Sequence, residues 1–156
     1  MSQRHDRLSV IGSLSLAPRR RRIRPHFVVQ DRNVRTRDVM RYLRQLHRLH
    51  RRPLVVVLDR LNVHRSAVRR LHERGASWLD VEWLPAYAPD LNPVEALWSH
   101  AKYSALANFV PDDVDQLYDA VIQAVGDVHF RQPLMQSFFH AAKLHLGTAQ
   151  LPRREE

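Results

Sequence analysis

The order of secondary-structure signals along the 156-residue chain predicts an α/β domain built on a mixed sheet. Three observations carry that expectation. Two β-type stretches separated by an arginine-rich break read as an antiparallel hairpin. After them, helical periodicity alternates with short apolar strands. One of those strands, Leu54-Val55-Val56-Val57-Leu58, is a continuous apolar run of the kind that parallel sheets bury on both faces.

The elements follow in order. Arg7 to Leu16 alternates apolar and small polar residues, with Leu8, Val10, Gly12, Leu14 and Leu16 on one face, as a strand requires. Pro18 and the run Arg19, Arg20, Arg21, Arg22 form an exposed tip, and Ile23 to Gln30 returns as the second strand. From Thr36 to His50, Val39, Leu43, Leu46 and either Leu49 or His50 recur at helical spacing, with arginines opposite. Thr36 suits the N-cap and Asp38 the first turn. Pro53 ends the helix and opens the apolar strand, which stops at Asp59. Ser66 is read as the cap of a short helix to Arg74, with Gly75 just past its end. Leu79 to Leu84 reads as a strand. The loop from Pro85 to Leu91 leads to Asn92, Pro93 and Glu95, an N-cap, N1 and N3 combination that starts a helix running to about Asn108. Two further helices are predicted, Val114 to Phe130 and Pro133 to His145. Residues 1–146 are read as one domain and 147–156 as a loose tail.

Composition narrows the function classes. There is no cysteine, which excludes a disulfide scaffold, thiol catalysis and cysteine-based zinc modules. No apolar run approaches the ~18 residues of a membrane span, and the N-terminus has no leader-like apolar region. A soluble cytoplasmic protein, without a membrane partner, is expected. The net charge is +9, unevenly placed. Residues 1–75 carry 20 arginines against five carboxylates, a balance of +15, and residues 76–156 balance at −6. A basic half suits a polyanionic partner such as nucleic acid. An arginine-biased composition accounts for the same counts.

Two carboxylates are candidates for chemistry. Asp59 lies at the carboxyl end of the apolar strand, the edge where open α/β sheets gather functional groups; an aspartate opening a turn is the plainer alternative. Glu95 opens the helix after the next strand, where completing a capping box is its plainer role. The 35 residues between them hold one helix and one strand, so both can return to one sheet edge.

The stretch Leu84-Pro85-Ala86-Tyr87-Ala88-Pro89-Asp90-Leu91-Asn92-Pro93-Val94-Glu95-Ala96-Leu97-Trp98 resembles the LPxYSPDLNPIExxW signature of DDE-type transposases of the mariner-like insertion-sequence superfamily. Val57-Leu58-Asp59-Arg60-Leu61-Asn62-Val63-His64-Arg65-Ser66 is similar to that family's DNxxxH block, and the spacing of Asp59 and Glu95 is similar to that of its second and third carboxylates. The resemblance spans roughly residues 7–125. It implies a ribonuclease H-like fold in which three carboxylates hold two divalent ions, Mg²⁺ or Mn²⁺. These ions serve phosphodiester cleavage and strand transfer in DNA transposition and integration. By the same resemblance Asp59 and Glu95 are catalytic and metal-binding, and Asp90, Asn92 and Pro93 shape the loop that aims Glu95. DNA (mobile-element ends and target) is the partner, the chain acts as a homodimer, and it is nucleoid-associated in a bacterium.

Arg60, His64, Arg65, Lys102 and Arg19 to Arg22 are candidates for contacting DNA. Lys102 lies two helical turns after Glu95, on nearly the same face, with a solvated lysine as its alternative. His64 either nears the substrate or bonds the local turn.

Where the family often has Asn after the aspartate, this chain has Arg60. The family's first catalytic aspartate ends a strand preceding the Arg7–Leu16 stretch. That strand, central in the sheet, is expected to be missing together with an upstream helix-turn-helix. Neither Asp6 nor Asp31 is expected to complete the site; Asp31 sits two strand positions away, roughly 10 Å. The exposed edges invite aggregation or pairing with another chain. The chain alone is then expected to be inactive, and a remnant that binds DNA nonspecifically through its arginines is the alternative. His47 and His50, like His140 and His145, share helix faces, but a zinc site is not expected. Trp78, Trp83 and Trp98 are read as core.

Overall fold

The structure, a computed structural model, describes residues 8–19, 22–105, 107, 113–144 and 146. Asp6, Arg20, Arg21, His145 and the tail from 147 lie outside them. Strands β1 (Ser9–Leu16) and β2 (Ile23–Gln30) pair antiparallel, with Gly12 opposite Phe27 and Ile11 opposite Val28. Helix α1 (Thr36–His50) follows. Strand β3 (Leu54–Leu58) then pairs in parallel with β4 (Leu79–Trp83) across helix α2 (Asn62–Glu73). A single 3₁₀ turn, Pro89–Leu91, precedes α3 (Pro93–His100), and α4 (Val114–Val128) and α5 (Gln132–Ala141) complete the set.

The class is the expected one, a mixed α/β fold consistent with a ribonuclease H-like domain. The sheet differs in its continuity. Among the described residues the four strands make two separate two-stranded sheets, with no ladder joining them.

Alternation in the hairpin explains how it serves two cores. Ile11 and Val28 pack against a core made by Val39, Met40, Tyr42, Leu43 and Leu46 of α1 with the buried face of α2. Leu14 and Phe27, on the opposite face, pack on a second core of Ile23, Leu97, Val128, Met135 and Phe138. The face holding Ile11, Ser13 and Ser15 is therefore not a solvent face. The Tyr42 hydroxyl donates to the His26 carbonyl at 2.8 Å and accepts from Ser13 Oγ at 2.7 Å, while His50 bonds Ser15 Oγ at 3.1 Å. Burial pushes the Tyr42 phenol up to about 12.

The outer edge of β2 is closed without a further strand. Gln132 accepts the Ile23 N–H at 3.0 Å and donates to its carbonyl at 2.8 Å, as a neighbouring strand would. Two residues on, Pro25 has no N–H to offer, so that edge cannot continue a ladder.

Four local expectations change. The β3 strand is buried on one face only. Leu54, Val56 and Leu58 meet α1 and α2, but Val55 and Val57 are exposed, because α3 and α5 pack on the hairpin instead. Helix α2 has Leu61, not Ser66, at its N-cap position. Asp59 Oδ1 accepts the Leu61 N–H at 3.2 Å, and the Leu61 carbonyl accepts the Arg65 N–H, so the turn begun at Asp59 runs directly into the helix. Helix α1 is capped at Arg35, whose N–H donates to Asp38 Oδ2, rather than at Thr36. Asp38 is buried, and a two-pronged bond from Arg32, 2.7 Å on each oxygen, holds its carboxyl well below the usual carboxylate range. Beyond His100 the helical path widens into a π turn at 101–105.

The three tryptophans pack against the cores as read, Trp78 and Trp83 on the first and Trp98 on the second. Trp98 fixes the seating of α3, since a Cβ on Gly12 would lie 2.6 and 2.8 Å from two of its ring carbons and 3.0 Å from Phe27. Gly12→Ala is therefore expected to cost about 1–3 kcal/mol by overpacking. A lower urea midpoint at unchanged slope would register it; an unchanged midpoint would show that the ring moves aside freely.

Candidate active site

Asp59 leaves the carboxyl end of β3 and Glu95 stands in the first turn of α3, and both line one cleft of about 380 Å³. Its other walls are Arg60 and the loop from Pro85 to Pro89. The strand β4 and the short loop after it return the chain to the edge where β3 ends; the Leu84 N–H donates to the Leu58 carbonyl at 2.8 Å.

Capping decides between the two roles weighed for Glu95. Asn92 is the N-cap, and its side chain accepts the Val94 N–H at 3.2 Å. Its carbonyl accepts the Glu95 N–H, and its own N–H is already donated to the Pro89 carbonyl, each at 3.0 Å. Pro93 has no N–H. The capping box that would engage the Glu95 carboxylate is thus closed by Pro89 instead, and the carboxylate makes no hydrogen bond among the described residues. Burial, and after it the negative charge of Asp59, raises the Glu95 carboxyl above its ordinary value.

Asp59 is held by one oxygen. Oδ1 accepts both His64 Nδ1–H at 2.5 Å and the Leu61 N–H, leaving Oδ2 without a protein partner among the described residues. His64 bonds the turn that carries Asp59, which joins its two readings: the local bond is also a bond to the candidate catalytic carboxylate. Arg60 donates from Nε to the Leu84 carbonyl at 3.0 Å, fastening the ends of β3 and β4.

Other expected site residues fall elsewhere. Asp90 is exposed on the 3₁₀ turn, and Pro93 is buried at N1. Lys102 does not line the cleft. It lies in the π turn, with its ammonium 5.5 Å from the centroid of the Tyr103 ring. Arg65 is bonded to Asn62 Oδ1, Arg19 is exposed at the hairpin tip, and Arg22 lines a different cavity. Asp31 does not line the carboxylate cleft either. His47 stacks on Trp78 at 4.2 Å. Among the described residues no three His, Asp or Glu groups gather where they could hold a metal ion, and no helix is long and apolar enough to cross a membrane.

Tyr87 is a site residue that sequence reasoning quoted only as part of a motif. It is fully exposed on the cleft rim with φ of 59°, a left-handed conformation that costs a non-glycine residue roughly 1–2 kcal/mol. The signal available for it was an aromatic residue in a five-residue loop bounded by Pro85 and Pro89.

Two carboxylates with unspent oxygens, one at the end of β3 and one in the first turn of α3, line one cleft, and the class this suggests is that of α/β domains whose acidic residues gather hard oxygen donors beside a sheet edge. A family model described as DDE superfamily endonuclease matches residues 1–118, and the chain belongs to that family. Domains of this family act on DNA as transposase-type nucleases and generally use divalent metal ions. No curated protein matches the chain.

The two carboxylates should sense one another. Asp59→Asn is expected to lower the titration midpoint of Glu95, though not to its ordinary value, because burial remains. Carboxyl ¹³C shifts would measure it, and an unmoved midpoint would show that the groups are electrically independent. The sign for stability follows: the folded chain binds the Glu95 proton more tightly than the unfolded one. That contribution is complete below the ordinary glutamate pKa and is lost as pH rises through the raised one.

Proposed function

We propose that the chain is the metal-dependent catalytic domain of a mariner-like insertion-sequence transposase, with Asp59 and Glu95 as its second and third carboxylates. The observation that supports this reading most directly is the convergence of the two carboxylates, with unspent oxygens, on one cleft. Their oxygens and the mutual repulsion of their charges fit a hard divalent cation, Mg²⁺ or Mn²⁺. Such ions, when bound, stabilise charge at a phosphodiester and activate a water or a DNA 3′-hydroxyl. The chain's own residues do the rest. Asp59 and Glu95 provide the oxygens, His64 orients the Asp59 carboxylate, Asn92 and Pro93 start α3 so that Glu95 faces the cleft, and Arg60 adds a positive charge at its wall. None of the described residues supplies the first carboxylate beside Asp59 and Glu95, and with these two alone the chain does not cut. Action as a dimer, on element ends and target DNA in a bacterial nucleoid, belongs to the same proposal.

Paramagnetic Mn²⁺ should broaden resonances around Asp59 and Glu95, and Asp59→Asn or Glu95→Gln should abolish the effect. His64→Ala should weaken Mn²⁺ about tenfold, as loss of a ligand-orienting partner does. Absent broadening would overturn the metal assignment. Supercoiled plasmid with Mg²⁺ or Mn²⁺ should stay uncut, and nicking abolished by Asp6→Ala would overturn the incompleteness of the site.

The 20 arginines in residues 1–75 favour a second reading, a catalytically dead domain that binds duplex DNA without sequence preference. Its affinity would fall steeply with salt and ignore EDTA; a salt-insensitive affinity would sink it.

A further inference from the structure

A second cleft lies at the outer edge of β2 and shares no residue with the carboxylate site. It measures about 290 Å³ and is lined by Arg22, Ile23, Arg24, His26, Leu49 and His129. Those residues come from β2 and the segment before it, from the end of α1 and from the C-cap of α4, so the fold gathers positions more than a hundred residues apart. Four of the six linings are basic and none is a carboxylate.

From these observations we infer that this cleft is a phosphate-binding site, taking a backbone phosphodiester of the DNA. The DNA part rests on the function proposed above; the anion chemistry does not. Helix polarity alone does not account for the cluster. The C-terminal ends of α1 and α4 each offer about half a negative charge, and Arg22 and Arg24 are on neither helix. No carboxylate among the lining residues offsets the two arginines. His26 is pushed down to about 4, first by burial and then by the neighbouring charges of His50, Arg24 and His129. Behind the wall its Nε2 is buried with no hydrogen-bond partner among the described residues. A phosphate in the cleft offsets the like charges and pairs with the arginine forks. Leu49, largely exposed at the rim, adds an apolar contact of the kind a sugar can cover.

The test is an NMR titration of histidine ring resonances in the full chain, first with inorganic phosphate and then with a short duplex of arbitrary sequence. Saturable shifts of His26 and His129 are expected with both, and the two ligands should compete. Arg22 and Arg24 are exposed, so Arg22→Ala/Arg24→Ala should keep the amide spectrum while weakening each ligand about tenfold or more. The salt slope for duplex binding should become shallower by about one, the value of one neutralised phosphate. The cleft assignment is overturned if neither ligand moves these resonances, or if the double variant responds like the parent chain. Saturation by phosphate without competition from duplex overturns the DNA part and leaves a free phosphate as the ligand. Asp59→Asn/Glu95→Gln should leave every one of these shifts unchanged, so failure of the nuclease reading and failure of this one are read separately.

Discussion

Among the described residues the two sheets share no ladder, and what holds them in one frame is the apolar face of α1. Val39, Met40, Leu43 and Leu46 are all nearly fully buried, and they meet Ile11 and Val28 of the hairpin as well as Val56 and Trp83 of the parallel pair. Each such side chain contributes about 1.5–3 kcal/mol by leaving water. A few of them therefore hold the halves together without any inter-strand hydrogen bond between the two. Tyr42 adds direction to this otherwise non-directional contact, because its hydroxyl bonds β1 through Ser13 and β2 through the His26 carbonyl. The carboxylate site depends on this frame. Asp59 rides on β3, while Glu95 rides on α3, which Trp98 seats against the hairpin at Gly12. The two functional groups thus belong to different sheets, and α1 is the common floor.

Within that frame, the aim of Glu95 is settled by a competition among hydrogen-bond donors. A helix start leaves backbone N–H groups that a nearby carboxylate readily satisfies. Here Pro89, Asn92 and Pro93 dispose of them: one N–H is absent, two are taken by Asn92, and the N–H of Asn92 itself goes to Pro89. The carboxylate has no structural employment left. Desolvation, and after it the charge of Asp59, favours its protonated form. A carboxylate in that setting with its oxygens unspent is what the proposed cation site calls for.

Much of this was legible in the residues. The spans Ile23–Gln30, Thr36–His50 and Leu54–Leu58 match the periodicity residue for residue, because each is bounded by a proline or by a sharp change of pattern. The convergence of Asp59 and Glu95 followed from one helix and one strand lying between them. What was not legible depends on partners distant in sequence. The Val55 and Val57 face reads as buried, since periodicity records apolarity and not which helices arrive to cover it. The start of α2 was hidden in a side-chain bond, Asp59 to Leu61, where cap statistics favoured Ser66. Nothing local announces that Ser13 and Ser15 bond Tyr42 and His50 of α1. No local pattern announces the π turn at 101–105 that carries Lys102.

The charge asymmetry takes its meaning from these placements. Arginines crowd residues 1–75, but among the described ones only Arg60 lines the carboxylate cleft, and charges beyond about 10 Å are screened at ordinary ionic strength. Glu95 accordingly feels burial and Asp59 rather than the net charge of the chain. By charge alone a phosphodiester would be drawn toward the basic half and repelled from Asp59 and Glu95, so long-range attraction and the proposed chemistry fall in different places. At the cleft Arg60 offsets one of the two carboxylate charges, so a phosphate entering between them still meets net negative charge; a divalent cation on their free oxygens, as proposed above, is the species whose charge and donor preference would remove it.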